Sequence, residues 1–170
     1  MSAPVASDRR IPLSEFEEYI ESISAEVLAY FARRVHNRDD AADCLSETLL
    51  ILWRRRDNIP SAFDDKRAWT FGVAHGVLQN YQRSGIRRLA LADRLRDQLL
   101  TQPATEEPEG NDALTRALAS LKDADRELVT LIAWEGLNLI QAAAILNINH
   151  AAARTRYSRA RLRLRRALGN

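Results

Sequence analysis

The sequence predicts an all-α chain: two small helical domains joined by a flexible acidic linker, the second closing on a helix-turn-helix. Three observations carry that prediction. Strand signals are nearly absent: only 6 of 170 residues are glycine, and no run alternates β-branched with polar residues. Apolar residues instead recur at steps of three and four along most of the chain. Between residues 97 and 112 the periodicity stops. Asp97, Glu106, Glu107, Glu109 and Asp112 gather there with Pro103, Pro108 and Gly110, without lysine or arginine. That is linker chemistry.

The predicted elements follow in order. Residues 1–13 form a flexible tail without the apolar core of a signal peptide. Ser14 is the expected N-cap of a first helix, with Glu17 in the capping-box position. Phe16, Ile20, Ile23, Val27, Tyr30 and Phe31 form its apolar stripe. A second helix follows Asn37-Arg38-Asp39-Asp40 and reaches about Arg56, where Asn58-Ile59-Pro60-Ser61 breaks it. A third spans Asp65 to Arg83, with Gly85 as the expected C-cap, and a basic helical piece runs from Arg87 to Leu100. After the linker a helix covers Asp112 to Leu121. Asp123 is expected to cap the next, which Gly136 ends. Asn138, with Gln141 three residues on, caps a short helix through Leu146. Asn147 suits a left-handed turn, and Asn149 caps the last helix. The domains are therefore 14–96 and 113–170, joined by 97–112. The linker's bland role is a solvated spacer; its sharper one is an anion that occupies a basic channel.

Composition excludes several function classes. The single cysteine, Cys44, forms no internal disulfide, and with His36, His75 and His150 scattered there is no metal-ligand spacing. Cys44 reads as a partly buried thiol on a helix. No apolar run approaches a membrane span, so no membrane insertion is expected, and the location is read as cytoplasmic. Neither a nucleophile–base constellation nor a Gly-rich phosphate loop is present. The chain is read as not an enzyme and as needing no cofactor.

Charge is concentrated. The net charge is only +2, yet the last helix carries Arg154, Arg156, Arg159, Arg161, Arg163, Arg165 and Arg166 and no acid. Concentrated basicity is an electrostatic footprint for nucleic acid. Small residues in Leu139, Ala142, Ala143 and Leu146 let two helices cross closely, as a helix-turn-helix requires. The N-terminal half of the second of these helices then meets the major groove. Arg154, Thr155, Ser158 and Arg159 share its outward face. Arginine pairs with guanine O6 and N7, and hydroxyls serve bases or phosphates. From Arg161 onward phosphate contact is expected. The competing reading is a solvated basic helix or one that docks on an acidic protein.

A second stripe lies on the second helix. Leu45, Thr48, Leu49 and Leu52 form its expected buried face. Asp43, Glu47, Leu50 and Arg54 form another at steps of four, three and four. A leucine flanked by carboxylates looks like a docking stripe, against the alternative of an ordinary amphipathic helix.

These residues resemble a known family. Leu121-Lys-Asp-Ala-Asp-Arg-Glu-Leu128, Glu135-Gly-Leu137, Ile145-Leu-Asn-Ile148 and Arg154-Thr-Arg-Tyr-Ser-Arg-Ala-Arg161 resemble domain 4 of the sigma-70-family transcription initiation factors. Ala41-Ala-Asp-Cys-Leu-Ser-Glu-Thr-Leu-Leu-Ile-Leu-Trp53 is similar to the domain 2 helix of that family, and Lys66-Arg-Ala-Trp-Thr-Phe-Gly-Val-Ala-His75 to its strand-opening segment. Two modules with no third between them resemble the extracytoplasmic-function (ECF) class.

The resemblance implies a promoter-specificity subunit of RNA polymerase. Asp43, Ser46, Glu47, Leu50 and Arg54 would bind the β′ clamp helices of the core. Domain 4 would read the −35 element as duplex through Arg154, Thr155, Ser158, Arg159 and Arg161, and would dock on the β-flap. Arg55, Arg56, Phe63, Lys66, Arg67, His75, Asn80 and Arg83 would hold the −10 element as an opened strand. Aromatic platforms and backbone-tracking cations suit that task, and the aromatics at hand are Phe63, Trp69, Phe71 and Tyr81. Trp69 reads as core, and the loop from Asp57 to Asp65 is the expected base pocket. The resemblance also implies an anti-sigma partner and a monomer when free. The chain departs from the family at Ala151-Ala-Ala153, where Gly-Thr-Val is common. It also departs at Asn147 for the turn glycine, His75-Gly76 for Arg-Asn, and Asn80 for Asp. The alternative is a stand-alone dimeric helix-turn-helix regulator, with the acidic stripe as its dimer face and palindromic sites.

Overall fold

The computed structural model describes residues 11–96 and 113–169, with side chains through residue 87 in the first stretch. Most of the predicted tail and the whole predicted linker lie outside the described residues. The chain divides into two compact units, Met1–Arg83 and Ser84–Asn170. Every described element is helical.

The first unit is built on α1 (Leu13–Ala32), α2 (Arg38–Arg54) and the part of α3 (Phe63–Arg96) up to Arg83, with a 3-10 turn at Arg56–Asn58. Helix α1 starts one residue before the expected cap. Pro12 takes the N-cap position, and its carbonyl accepts the Phe16 N–H at 3.0 Å. Proline has no N–H to satisfy there, so Ser14 falls inside the first turn and caps nothing. Phe16, Tyr19, Ile23, Val27, Tyr30 and Phe31 are buried. Tyr19 is an addition to the expected stripe. Its hydroxyl lies 2.6 Å from the Thr70 Oγ1 and donates to the Lys66 carbonyl at 3.2 Å, which pins α1 to α3.

Helix α2 begins inside the run expected to precede it: Asn37 is its N-cap, and the Asn37 side chain accepts the Asp40 N–H at 2.8 Å. Asp39 and Asp40 in the first turn complement the helix dipole. Its buried line runs Ala41, Cys44, Thr48, Leu52, one residue off the expected centre, with Leu45 and Leu49 half-buried beside it. Thr48 donates to the Cys44 carbonyl at 2.8 Å, so its buried hydroxyl is satisfied. Phe16, Leu52 and Ile59 form a core against which Ile20, Leu49, Trp69 and Val73 pack. Trp69 is thus a core side chain, as the sequence predicts.

Helix α3 is longer than predicted. Gly85 does not end it: the helix continues to Arg96 and absorbs the start of the basic piece read as separate. A C-capping glycine takes a left-handed conformation. Among the described glycines only Gly136 and Gly169 do so. Inside a helix a glycine costs about 1 kcal/mol relative to alanine, too little to break an otherwise helical run. A Cβ at Gly76 or Gly85 would meet nothing within 4 Å, so neither glycine serves packing.

The second unit contains α4 (Ala113–Ala119), α5 (Asp123–Ala133), α6 (Leu139–Ile145) and α7 (His150–Leu168). Asp123 is the first residue of α5 and not its cap; Lys122 holds the cap position in extended conformation. Asp123 instead lies 3.2 Å from Arg126. Arg126 also donates to the carbonyls of Leu118 and Leu121, each at 3.0 Å. Arg126 is therefore a clamp on carbonyls at and just after the end of α4, where helical bonding runs out. Gly136 turns the chain after α5 at φ 63°. Asn138 and Gln141 form a complete capping box, with bonds of 2.9 and 3.0 Å. Asn149 accepts the Ala152 N–H at 2.7 Å. Helix α7 packs on α4, α5 and α6 through Ala153, Tyr157, Ala160 and Leu164. Ala142, Ala143, Ala153 and Ala160 are buried; their small side chains permit the close crossing of α6 and α7.

Asn147 holds the corner between α6 and α7 at φ 52°, the one non-glycine positive φ among the described residues. Replacing it tests how much that corner matters. Asn147→Gly should hold or raise the stability of the chain, because glycine carries no Cβ penalty there. Asn147→Val should lower it by about 1–2 kcal/mol. Urea denaturation followed by circular dichroism measures both.

Candidate nucleic-acid interface

Packing on three helices orients α7. With Ala153 and Ala160 fully inward, the opposite side of the helix faces out: Ala151, Arg154, Thr155, Ser158, Arg159 and Arg161 are all exposed. The sequence-predicted reader residues therefore lie together on one open strip. The Ala151-Ala152-Ala153 departure is smaller than it looks, because Ala153 is core and Ala152 half-buried. Of the three alanines only Ala151 is fully exposed. Arg165 and Arg166 occupy the last turn, where cations suit the negative end of the helix dipole. Gly169 closes the helix at φ 78°.

On α2, Asp43, Ser46, Glu47, Leu50 and Arg54 are exposed, and Leu50 is 54% exposed despite its apolar side chain. These five residues thus form a continuous exposed line on α2. Beside it, on the buried line of the same helix, lies Cys44, 4% exposed. Burial, then the nearby Glu47, Asp40 and Asp43 carboxylates, push its thiol up to about 11. A thiol so protonated is not a nucleophile at neutral pH.

The predicted strand-binding set divides. Arg55, Phe63, Asn80 and Arg83 are exposed and Arg56 half-buried. Phe63, 64% exposed, opens α3, while Ile59 anchors the preceding loop in the core. Lys66, Arg67 and His75 are corrected by the structure: they belong to the packing of α3. Lys66 is 7% exposed; its Nζ lies 3.3 Å from Glu15 and 5.1 Å above the Tyr19 ring. Arg67 donates twice to Glu26 Oε2, at 2.7 and 3.0 Å, and its guanidinium sits 5.1 Å over Phe71. His75 is buried, its Nδ1 3.4 Å from the Tyr30 hydroxyl and its Nε2 3.0 Å from the Gln79 amide. These cations and this imidazole are engaged by α1 and by α3 itself, so the free chain spends them on packing. The sequence carries the signal: Arg67, Phe71, Ala74 and Leu78 fall on one helical face, and Glu15 and Glu26 on α1 supply the counter-charges.

The aromatics divide likewise. Phe71 is fully buried, and Tyr81 donates to the Asp40 carboxylate at 2.6 Å. Trp53 was not among the expected platforms, yet it is 43% exposed, with the Arg56 guanidinium 4.6 Å from its ring and Phe16 edge-on at 5.5 Å. Its place three residues after Leu50 puts it beside the exposed stripe, which is the pattern that would have found it. Among the described residues no cluster of His, Cys, Asp and Glu could hold a metal ion, and no helix is long and apolar enough to cross a membrane.

Comparison with known proteins covers both units. Residues 19–88 match the family described as sigma-70 region 2, and residues 111–164 match sigma-70 region 4. The chain is 34% identical over 150 residues to the ECF RNA polymerase sigma factor SigF of Caulobacter vibrioides, covering 85% of this chain and 80% of that protein. It is 29% identical over 154 residues to the ECF RNA polymerase sigma factor SigM of Bacillus subtilis, covering 88% and 92% respectively. Two solved structures share the fold. One is the sigma factor RpoE in complex with the anti-sigma factor NepR from Bartonella quintana, with TM-score 0.65, 24% identity and coverage of 92% of this chain and 98% of that one. The other is CnrH in complex with the cytosolic domain of CnrY, with TM-score 0.63, 21% identity and coverage of 93% and 90%. The exposed basic reader helix, the acid-and-leucine stripe and these matches converge: the chain belongs to the sigma-70 family and, within it, to the ECF RNA polymerase sigma factors.

Proposed function

We propose that this sigma factor divides promoter recognition between its two domains, 14–96 and 113–170, with 97–112 as the linker between them. The carrying observation is that one chain exposes two chemically opposite strips, an acidic one with a central leucine on α2 and one on α7 whose only charges are arginines. The α2 strip of Asp43, Ser46, Glu47, Leu50 and Arg54 docks on the clamp helices of core polymerase. Leu50 supplies the apolar contact and the carboxylates the orientation. The α7 strip binds the −35 duplex, with Arg154 and Arg159 reaching bases and the arginines from Arg161 onward holding phosphate. Arg55, Arg56, Phe63, Asn80 and Arg83, now joined by Trp53, line the surface that holds the opened −10 strand. An unstacked base costs a few kcal/mol to expose, and an aromatic or guanidinium face offsets it. The chain does no catalysis of its own; the polymerase does the chemistry, in the cytoplasm. It is a monomer when free, and an anti-sigma factor restrains it by covering these strips, a reading supported by the similar RpoE structure, which holds an anti-sigma factor. Family membership leaves the stand-alone dimeric regulator without support.

Run-off transcription with core polymerase on genomic fragments tests this directly, and absence of promoter-dependent initiation on every fragment would sink it. Leu50→Asp should abolish co-elution with core polymerase while leaving the circular dichroism spectrum unchanged. Arg154→Ala should weaken binding of the holoenzyme to its −35 duplex by about 5- to 100-fold and leave core binding intact; equal affinity would remove Arg154 from base readout. Arg67→Ala and Arg83→Ala should separate structure from function. The first should lower the melting temperature by removing the bidentate bond to Glu26. The second should leave the melting temperature alone and slow promoter opening, followed by permanganate reactivity.

A further inference from the structure

The exposed strip of α7 contains one side chain whose hydrogen-bonding capacity is already committed. The Thr155 hydroxyl donates to the Ala151 carbonyl at 3.1 Å, one helical turn back. A threonine hydroxyl has a single proton. With that proton held by the helix backbone, Thr155 offers a groove its γ-methyl and the acceptor lone pairs of its oxygen. One turn before it stands Ala151, exposed, whose side chain is itself a methyl. Arg154 and Arg159, also exposed, flank this pair of methyls on the same strip. Two methyls a turn apart, bordered by guanidinium groups, make a small apolar step in an otherwise cationic reading face.

The major groove displays one apolar group, the C5-methyl of thymine. Guanine presents acceptors alone there, and a Thr155 without a free proton has nothing to give them. We propose that Thr155, together with Ala151, is a specificity-determining contact that reads a thymine methyl, and that it acts through its methyl group and not through its hydroxyl. This rests on the assignment of α7 as the duplex reader. It assigns to one position of the site a base chosen by apolar contact, beside those chosen by arginine.

The test uses the full chain bound to core polymerase and a duplex selected from a random pool by that holoenzyme. Each thymine of the selected duplex is replaced in turn by deoxyuridine, which lacks only the methyl. One replacement should weaken binding about fourfold, the effect expected for one buried methyl. Thr155→Val keeps the methyl and removes the hydroxyl; it should retain both the affinity and the sensitivity to deoxyuridine. Thr155→Ser keeps the hydroxyl and removes the methyl; it should bind the thymine and deoxyuridine duplexes equally. The proposal is overturned if no thymine replacement alters affinity, or if Thr155→Val loses the discrimination and Thr155→Ser keeps it. Failure of the holoenzyme to select any duplex would overturn the reader assignment itself, and with it this contact. A selected duplex that lacks thymine sensitivity overturns the contact alone.

Discussion

Small helical units have little interior, and that scarcity governs this molecule. A domain of this size buries a modest fraction of its surface on folding, so each helix must commit one complete face to its neighbours. In α7 that face is Ala153, Tyr157, Ala160 and Leu164. In α2 it is Ala41, Cys44, Thr48 and Leu52. What remains on each helix is a strip whose direction the packing has already decided. The two strips assigned to DNA and to polymerase are the complements of buried lines and owe their straightness to them. A side chain required by the seam is thereby withdrawn from the surface, however suitable its chemistry.

Lys66, Arg67 and His75 illustrate that withdrawal. As residue types they suit a nucleic-acid backbone. As positions they stand on the side of α3 that meets α1, where Glu15, Glu26, Tyr19 and Tyr30 satisfy them. Isolated charges on a helix tell nothing about direction; direction comes from the apolar residues a turn away. The α7 strip was legible for the same reason in reverse, since Ala153 and Ala160 are spaced to face inward and the arginines between them are not.

Local chemistry was legible wherever a side chain bonds its own backbone. The caps at Asn138 and Asn149 and the left-handed corner at Asn147 follow from composition and spacing. Ser14 and Gly85 carry the same composition without the same roles. Pro12 pre-empts the first, and the helical residues on both sides of Gly85 outweigh its small penalty. Asp123 was displaced by a single residue, because its carboxylate is drawn to Arg126, which clamps the end of α4. In each case a residue's preference yields to a neighbour with a stronger claim on the same backbone groups.

The buried Cys44 thiol has a use that none of these interactions reveals. Its ionisation is raised from 9.0 to about 11, so the folded chain keeps a proton that an unfolded chain releases. Its contribution to stability is complete below 9.0 and fades as alkali approaches 11. More practically, this single thiol sits on the buried side of the helix assigned to polymerase docking, and electrophiles reach it when that helix opens. Its rate of alkylation is therefore a clock for local unfolding of α2, built into the native sequence without a label, and any partner that settles on the strip above should slow it.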